Sequence, residues 1–280
     1  MDAINGDACY PEGPLWHRDR LWYVEYGAHR IMSWNGRSND VLWQEAGSGP
    51  CALAAWGDDL LLCAFDGNAL LRIGADGTTR ARWDRDIDGN GFVGPNDLTS
   101  DGYGGFFFTA SGRFDVAAPI EGALLHFDPR GQIRVLAEGL HFPNGIAYDA
   151  ARRRLYVSEH LAQRILMFDM PAFRDLGAAR VFCRLGHVAP HELDREPYAG
   201  GDGMALDADG RLHVAHFGTG RLLTLEADGS LAGSIDLPMR YPTNLAFGPS
   251  HGNAPPTIYV TAVADAWHAP YPGALFHLNS

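Results

Sequence analysis

Lysine is absent from this 280-residue chain, in which all 22 basic residues are arginines. That absence excludes Schiff-base chemistry, a P-loop lysine and a lysine general base. Positive charge is scarce overall, because 34 acidic residues leave a formal net charge of −12. A nucleic-acid partner needs a basic face to bind the phosphate backbone, so the charge balance argues against one.

Long hydrophobic runs and closely spaced cysteines are also missing. The longest apolar run, residues 60–65, is too short to cross a bilayer, so no membrane partner is expected. The first ten residues show neither the basic nor the apolar region of a signal peptide. The four cysteines have no C-x-x-C spacing, which favours reduced thiols in the cytoplasm, with one Cys9–Cys183 disulfide as the alternative.

What the chain does contain is a repeat. A short pattern of Pro or Gly, a variable residue, a small or polar residue and an apolar residue occurs six times. The variable positions are 39, 45, 48, 58 and 41 residues apart, and the last is 49 residues from the first when counted through both termini. The period therefore closes on itself. The six variable residues are Glu12, Cys51, Asn96, Asn144, Asp202 and Thr243.

The sequence of each repeat predicts four short β-strands. Asp-Gly pairs at 76–77, 209–210 and 228–229 fit hairpin turns, and no helix-length amphipathic stretch is found. Six such units predict an all-β, six-bladed β-propeller with four antiparallel strands per blade, forming a single domain over residues 1–280. The last repeat has only three strands, so residues 2–10 are predicted to add its outer strand and close the ring.

The innermost strand of each propeller blade lines the central channel, so the six variable residues should form a ring. Four of them, Glu12, Asn96, Asn144 and Asp202, carry oxygen donors. Two carboxylates and two amides suit one divalent metal ion, with Ca²⁺ the best match and Zn²⁺, Mn²⁺, Mg²⁺ or Fe²⁺ the alternatives. Any one of these residues alone is a common turn former, but four at one repeat position favour a metal site.

Several segments, in the same order along the whole chain, resemble the SMP-30/gluconolactonase (regucalcin-like) family of six-bladed propeller lactonases. The segments are PEGPLW (11–16), PNDL (95–98), FPNGI (142–146), DGMALD (202–207), VAHFG (214–218) and PTNLAFG (242–248). The resemblance implies a divalent-metal-dependent hydrolase that opens a lactone. It also implies that Glu12, Asn144 and Asp202 hold the metal, that Asn96 binds metal or substrate, and that Asp202 is catalytic, as the base or aligner of the attacking water.

One position departs from the family pattern. Sugar-lactone members often carry an Arg two residues before the equivalent of Asn96, and this chain has Gly94 there. The change leaves room for a bulkier or less polar lactone than a sugar lactone.

Further candidates for substrate contact are expected near the channel mouth. His216 and His160 are assigned to matching places in blades five and four, where either could move a proton near neutral pH or be held structurally. The full set of candidate substrate-binding residues is Asn96, Asp97, Glu25, His141, His160 and His216. The expected partner is a small lactone, and the protein is expected to be a monomer or a weak homo-oligomer.

Two other functions stay open from the sequence. The same fold and ligand set resemble phosphotriesterases of the squid-type diisopropylfluorophosphatase group and the paraoxonases. A calcium-binding propeller without catalytic activity is the other alternative.

Overall fold

The computed structural model describes residues 1–171, 175–250 and 255–278. Its strands form six four-stranded antiparallel sheets arranged in a ring. The predicted six-bladed β-propeller is therefore confirmed. The first strand of the chain, β1 (Asp2–Cys9), belongs to the last blade, and the other strands follow in order from the channel outward within each blade.

Blades 1 to 3 take up the first half of the chain. Blade 1 consists of β2 (Pro11–His17), β3 (Arg20–Glu25), β4 (Arg30–Trp34) and β5 (Asn39–Gln44). Blade 2 consists of β6 (Pro50–Trp56), β7 (Asp59–Ala64), β8 (Ala69–Ile73) and β9 (Thr79–Trp83). Blade 3 consists of β10 (Pro95–Ser100), β11 (Phe106–Ala110), β12 (Gly122–Phe127) and β13 (Ile133–Leu140).

Blades 4 to 6 complete the ring. Blade 4 consists of β14 (Pro143–Asp149), β15 (Arg154–Glu159), β16 (Arg164–Asp169) and β17 (Arg180–Arg184). Blade 5 consists of β18 (Gly200–Leu206), β19 (Leu212–Phe217), β20 (Arg221–Leu225) and β21 (Leu231–Asp236). Blade 6 consists of β22 (Tyr241–Phe247), β23 (Ile258–Val263) and β24 (Pro272–Leu278), followed outward by β1.

The core lies between neighbouring blades. Strands β7, β11, β19 and β23 are buried along their whole length, because each is covered on both faces by adjacent sheets. This explains why these strands are rich in apolar residues on both faces, with few polar side chains such as Asp59, His213 and His216. The outermost strands β9 and β21 are mostly exposed; β9 carries two arginines and a threonine, whereas β21 exposes Leu231 and Ile235.

The ring is closed by the N-terminal strand, as predicted. Strand β1 pairs antiparallel with β24, with Ala3 opposite Phe276 and Ala8 opposite Gly273. Ala8 is 1% exposed, so the strand is packed onto blade 6 as well as hydrogen-bonded to it. The Thr243 hydroxyl adds a second link between the last and first blades, because it donates to the Pro11 carbonyl oxygen at 2.7 Å.

Turns and helices are short. Gly77, Gly210 and Gly229 of the predicted Asp-Gly turns have φ of +78°, +78° and +87°, a region that side chains other than glycine rarely adopt. Within the described residues the one α-helix is α1 (Leu185–Val188), and 3₁₀ turns cover Tyr26–Ala28, His160–Ala162 and Glu192–Arg195. Helix α1 and the last turn lie in an insertion between β17 and β18, which accounts for the long 58-residue repeat spacing.

Two expectations from the sequence concern cysteines and membranes. All four cysteines are free, so the alternative of a Cys9–Cys183 disulfide is wrong. Across the described part of the chain, no helix has the length and hydrophobicity that spanning a bilayer requires.

Candidate active site at the channel mouth

Five of the six ring residues line one pocket of about 200 Å³ at the start of the innermost strands. They are Glu12, Cys51, Asn96, Asn144 and Asp202. The sixth, Thr243, is fully buried and is used in the contact between blades 6 and 1. The repeat therefore brings the four predicted oxygen donors to the same cavity.

Hydroxyl groups of neighbouring blades fix the backbone just before three of these residues. Thr243, Ser111 and Ser158 donate to the carbonyl oxygens of Pro11, Pro143 and Gly201 at 2.7, 2.6 and 2.6 Å. The residues that follow these carbonyls are Glu12, Asn144 and Asp202. A hydrogen bond between blades thus fixes the backbone from which each of these three side chains extends.

Glycine lets the inner strands approach closely at this level. A Cβ atom on Gly145, the residue after Asn144, would collide with the backbone carbonyl oxygen of Asp202. A Cβ atom on Gly203 would collide with the side chain of Asn244 in the next blade. Glycine at the third position of the repeat in blades 4 and 5 therefore allows the inner strands to approach closely enough for Asn144 and Asp202 to reach the same pocket.

The two carboxylates of the pocket are buried close to each other and to Asp97. Burial, then the Asp202 and Asp97 charges, raise the pKa of Glu12 well above its usual value. Burial and Asp97 likewise raise the pKa of Asp202, and a hydrogen bond from the Asn144 side chain opposes that rise. No arginine among the described residues lines the pocket. No guanidinium among the described residues therefore compensates negative charge here, and burial keeps His160 neutral by lowering its pKa to about 4.

The donor set is a mixed one. Among the residues that the structure describes, no three His, Cys, Asp or Glu side chains cluster as metal ligands usually do. The pocket offers two carboxylates and two amides instead. Oxygen donors of this kind, with two negative charges, are what a hard divalent cation such as Ca²⁺ takes in proteins.

Of the six predicted substrate contacts, Asn96 and His160 line this pocket. Glu25 lies outside it, fully buried, with its carboxylate 2.7 Å from the Arg30 guanidinium. Asp97 also lies outside, where its carboxylate accepts the backbone N–H groups of Leu98 (2.9 Å) and Ile146 (3.2 Å). Burial raises the pKa of Asp97 to about 7.

His141 is likewise placed outside the pocket lining. Its backbone N–H donates to the Glu159 carboxylate at 2.8 Å, so this segment is tied to the second strand of blade 4. The contact holds the turn that carries the neighbouring Phe142 into the pocket.

The prediction that His216 in blade 5 and His160 in blade 4 occupy equivalent positions is wrong, because the strand register differs from it by one residue. His216 pairs with Gly201, whereas in blade 4 the equivalent Pro143 pairs with Glu159. A shift of one residue turns a strand side chain to the opposite face. His216 therefore corresponds to Glu159, and the pocket-lining equivalent of His160 is Phe217.

The positions equivalent to His216 share a structural role. Glu25, Glu159 and His216 are all buried, and each contacts the arginine five residues later. Burial and the charge of Arg221 lower the pKa of His216 to about 3. These three residues belong to the packing of blades 1, 4 and 5 and not to the pocket surface.

Aromatic side chains make up most of the pocket wall, and the sequence did not predict this. The residues are Tyr10, Tyr26, Phe65, Phe114, Phe142, Phe217, Trp267 and Tyr271. The sequence contained part of the signal, because the residue after the second strand is Tyr26, Phe65 and His160 in blades 1, 2 and 4. In blade 5 the last residue of the second strand, Phe217, takes that place. In blades 3 and 6, longer connections supply Phe114 and Trp267 instead.

The fold and this site define a six-bladed propeller with a polar ring at one end of its channel. The protein-family model described as the SMP-30/Gluconolactonase/LRE-like region matches residues 10–264 of this chain. The chain therefore belongs to this family, as its motifs indicate.

Individual relatives agree with that assignment. Pentonolactonase XacC of Haloferax volcanii is 27% identical over 252 residues, which cover 89% of this chain and 80% of that protein. Diisopropyl-fluorophosphatase of Loligo vulgaris is 28% identical over 207 residues, covering 69% and 61%. The solved structure of the gluconolactonase XC5397 from Xanthomonas campestris superposes with a TM-score of 0.78 at 23% identity, covering 99% of this chain and 89% of that one.

Proposed function

We propose that this protein hydrolyses a lactone in the channel-mouth pocket with the help of one divalent cation held by Glu12, Asn96, Asn144 and Asp202. One observation carries the proposal: two buried carboxylates and two amides line the same cavity, and in the described part of the chain no arginine there balances their charge. A buried charge needs a partner, and two carboxylates match one divalent ion. The match to a pentonolactonase supports lactones as the substrates.

The reaction consumes one water molecule. Its oxygen forms a new bond to the ester carbonyl carbon, the ring C–O bond breaks, and a proton passes to the departing alkoxide oxygen. The product is a hydroxy acid, which releases one proton to the medium at neutral pH. When bound, a divalent cation polarises the carbonyl group and acidifies water.

The chain's own residues have separate roles in this scheme. Asp202 orients the attacking water and accepts its proton. Asn144 hydrogen-bonds to Asp202 and keeps that carboxylate in one orientation. Asn96 is a cation ligand or a substrate contact, and Ca²⁺ is the cation we favour. The four free thiols support a reducing compartment, and we place the protein in the cytoplasm.

A second candidate function is phosphotriester hydrolysis. It is favoured by the match to diisopropyl-fluorophosphatase, a protein named for an organophosphate substrate. The same oxygen donors would serve either reaction, so the substrate panel has to include both classes.

The test is a pH-stat assay of lactone and organophosphate panels, together with metal analysis of the purified protein. Glu12→Gln and Asp202→Asn each remove one negative charge, and we expect at least about a 100-fold loss of turnover and reduced metal content. Glu45→Gln, at an exposed site, is the matched control and should behave like the wild type. Full turnover by either pocket variant would contradict the proposal, and turnover of organophosphates alone would favour the second function.

A further inference from the structure

Seven aromatic rings form an arc around the pocket, and we call this arc the aromatic collar. Each ring contacts the next, with centroid separations between 4.7 and 6.5 Å. In order around the arc the residues are Tyr271, Tyr10, Tyr26, Phe65, Phe142, Phe114 and Trp267. All seven line the pocket that holds the two carboxylates.

Two members of the collar come from opposite sides of the ring. Phe114 belongs to the connection after β11 in blade 3, and Trp267 to the connection after β23 in blade 6. Their rings stack at 5.9 Å with an interplanar angle of 3°. Trp267 is 45% exposed, and Val116 and Ile120, near Phe114 in sequence, are 44% and 55% exposed. The apolar surface of the pocket therefore reaches the solvent on this side.

Few polar groups are left to bind substrate hydroxyls. Once the two carboxylates and two amides hold a cation, the lining retains His160, Cys51 and three tyrosine hydroxyls. The Tyr26 hydroxyl donates to Asp66 at 3.1 Å, and the His160 Nε2 atom lies 3.0 Å from the Tyr198 carbonyl oxygen. The Tyr26 hydroxyl and the Nε2 atom of His160 are therefore already engaged within the protein, and the buried Nδ1 atom of His160 is the ring nitrogen left without a hydrogen-bond partner.

Gly94 also provides no polar side chain that could bind a substrate hydroxyl. A Cβ atom there would lie 2.7 Å from the ring of Phe65, which occupies the space and faces the pocket. A polyhydroxylated lactone would thus lose water from its hydroxyls without gaining partners, which is unfavourable. An aromatic or bulky apolar group would instead pack against the collar rings.

Resting on the lactone hydrolysis proposed above, we infer that the preferred substrate is a lactone bearing an aromatic or similarly bulky apolar substituent. The ester group lies toward Glu12 and Asp202, and the substituent lies against Phe65, Phe114 and Trp267. The collar, and not hydrogen bonds to hydroxyls, then sets the substrate specificity.

The test compares three six-membered lactones on the metal-loaded wild-type protein: δ-valerolactone, 6-phenyl-δ-valerolactone and glucono-δ-lactone. We expect kcat/KM for the phenyl lactone to exceed both others by at least about tenfold. An equal or higher kcat/KM for glucono-δ-lactone overturns the inference while leaving lactone hydrolysis intact. Absence of hydrolysis of all three overturns both this inference and the proposed function.

Variants assign the preference to the collar. Trp267→Ala should lower the ratio of kcat/KM for the phenyl lactone to that for δ-valerolactone by about tenfold, and Trp267→Phe should retain most of it. Ile235→Ala removes a side chain that is 40% exposed on β21, away from the pocket, and is the control that should keep the wild-type ratio. A ratio unchanged in Trp267→Ala would contradict the role given to the collar.

Discussion

Removal of β1 tests how the propeller ring is closed. A chain that begins at Tyr10 lacks the strand that pairs with β24. Blade 6 then keeps three strands and presents the edge of β24 to solvent. Because propeller blades depend on their neighbours for burial, the loss should be felt by the whole domain and not only by blade 6.

The size of the effect follows from the pairing. Five residue pairs join β1 to β24, and at about 1 kcal/mol for each backbone hydrogen bond the ladder contributes roughly 5 kcal/mol. Four of the eight β1 side chains are exposed, and apolar burial comes from the buried Ala8 and from Ile4, which packs against the core cluster beside it, so the ladder figure is a lower bound. Unfolding entropy of about 2.1 cal/mol/K per residue amounts to about 0.6 kcal/mol/K for this chain. The truncation should therefore lower Tm by at least about 8 °C.

Calorimetry of the truncated and full-length proteins measures this shift. Asn5→Ala is the companion variant within the intact strand, because the Asn5 amide donates to the Tyr23 hydroxyl at 2.9 Å. The variant also loses the 3.5 Å bond to the Glu25 carboxylate and the 3.1 Å bond that the Asn5 Oδ1 atom accepts from the Asp7 N–H, so Tm should fall by about 2–5 °C. A truncated protein that melts within 2 °C of the full-length chain would refute the account of ring closure.

Two further predictions concern acid stability and the inner strands. The folded pKa of His216 is about 3, below the 6.5 of an unfolded chain, so stability is complete above pH 6.5 and falls as pH drops and the unfolded state takes up the proton. Urea unfolding should therefore show His216→Gln gaining about 2 kcal/mol over the wild type between pH 7.5 and pH 5, and an unchanged difference between the two proteins would contradict the buried, neutral state of His216. Gly145→Ala forces a Cβ atom onto the Asp202 carbonyl, so a stability loss of about 1–3 kcal/mol and at least a tenfold drop in lactone turnover are expected. Gly233→Ala, with no atom within 4 Å of the added Cβ, is its control, and equal behaviour of the two glycine variants would contradict the close approach of the inner strands.

The ring of pocket residues could be predicted because it follows from repetition alone. Glu12, Asn96, Asn144 and Asp202 hold the same place in successive blades, and radial symmetry brings equivalent places together. The outer strand of blade 6 was predictable for a similar reason, since a closed ring leaves one strand to be supplied by residues 2–10.

The aromatic wall of the pocket was harder to predict, because it depends on the register of single residues and on the paths of loops. Whether His216 or Phe217 faces the pocket depends on which of them pairs with Gly201. Because side chains alternate between the two faces of a strand, a shift of one residue reverses the answer. Phe114 and Trp267 lie in connections whose lengths differ from those of the other blades, so no repeat position indicates where they point. Their stacking across the channel mouth is a tertiary contact that no local pattern contains.

The central claim is that Glu12 and Asp202 hold a divalent cation that lactone hydrolysis requires. The most direct measurement is proton release from δ-valerolactone and 6-phenyl-δ-valerolactone in a pH-stat, before and after chelation and during stepwise return of Ca²⁺. Chelation should abolish turnover, about one equivalent of cation should restore it, and the Glu12→Gln protein should not recover. Undiminished turnover by protein shown to be free of metal would contradict this claim.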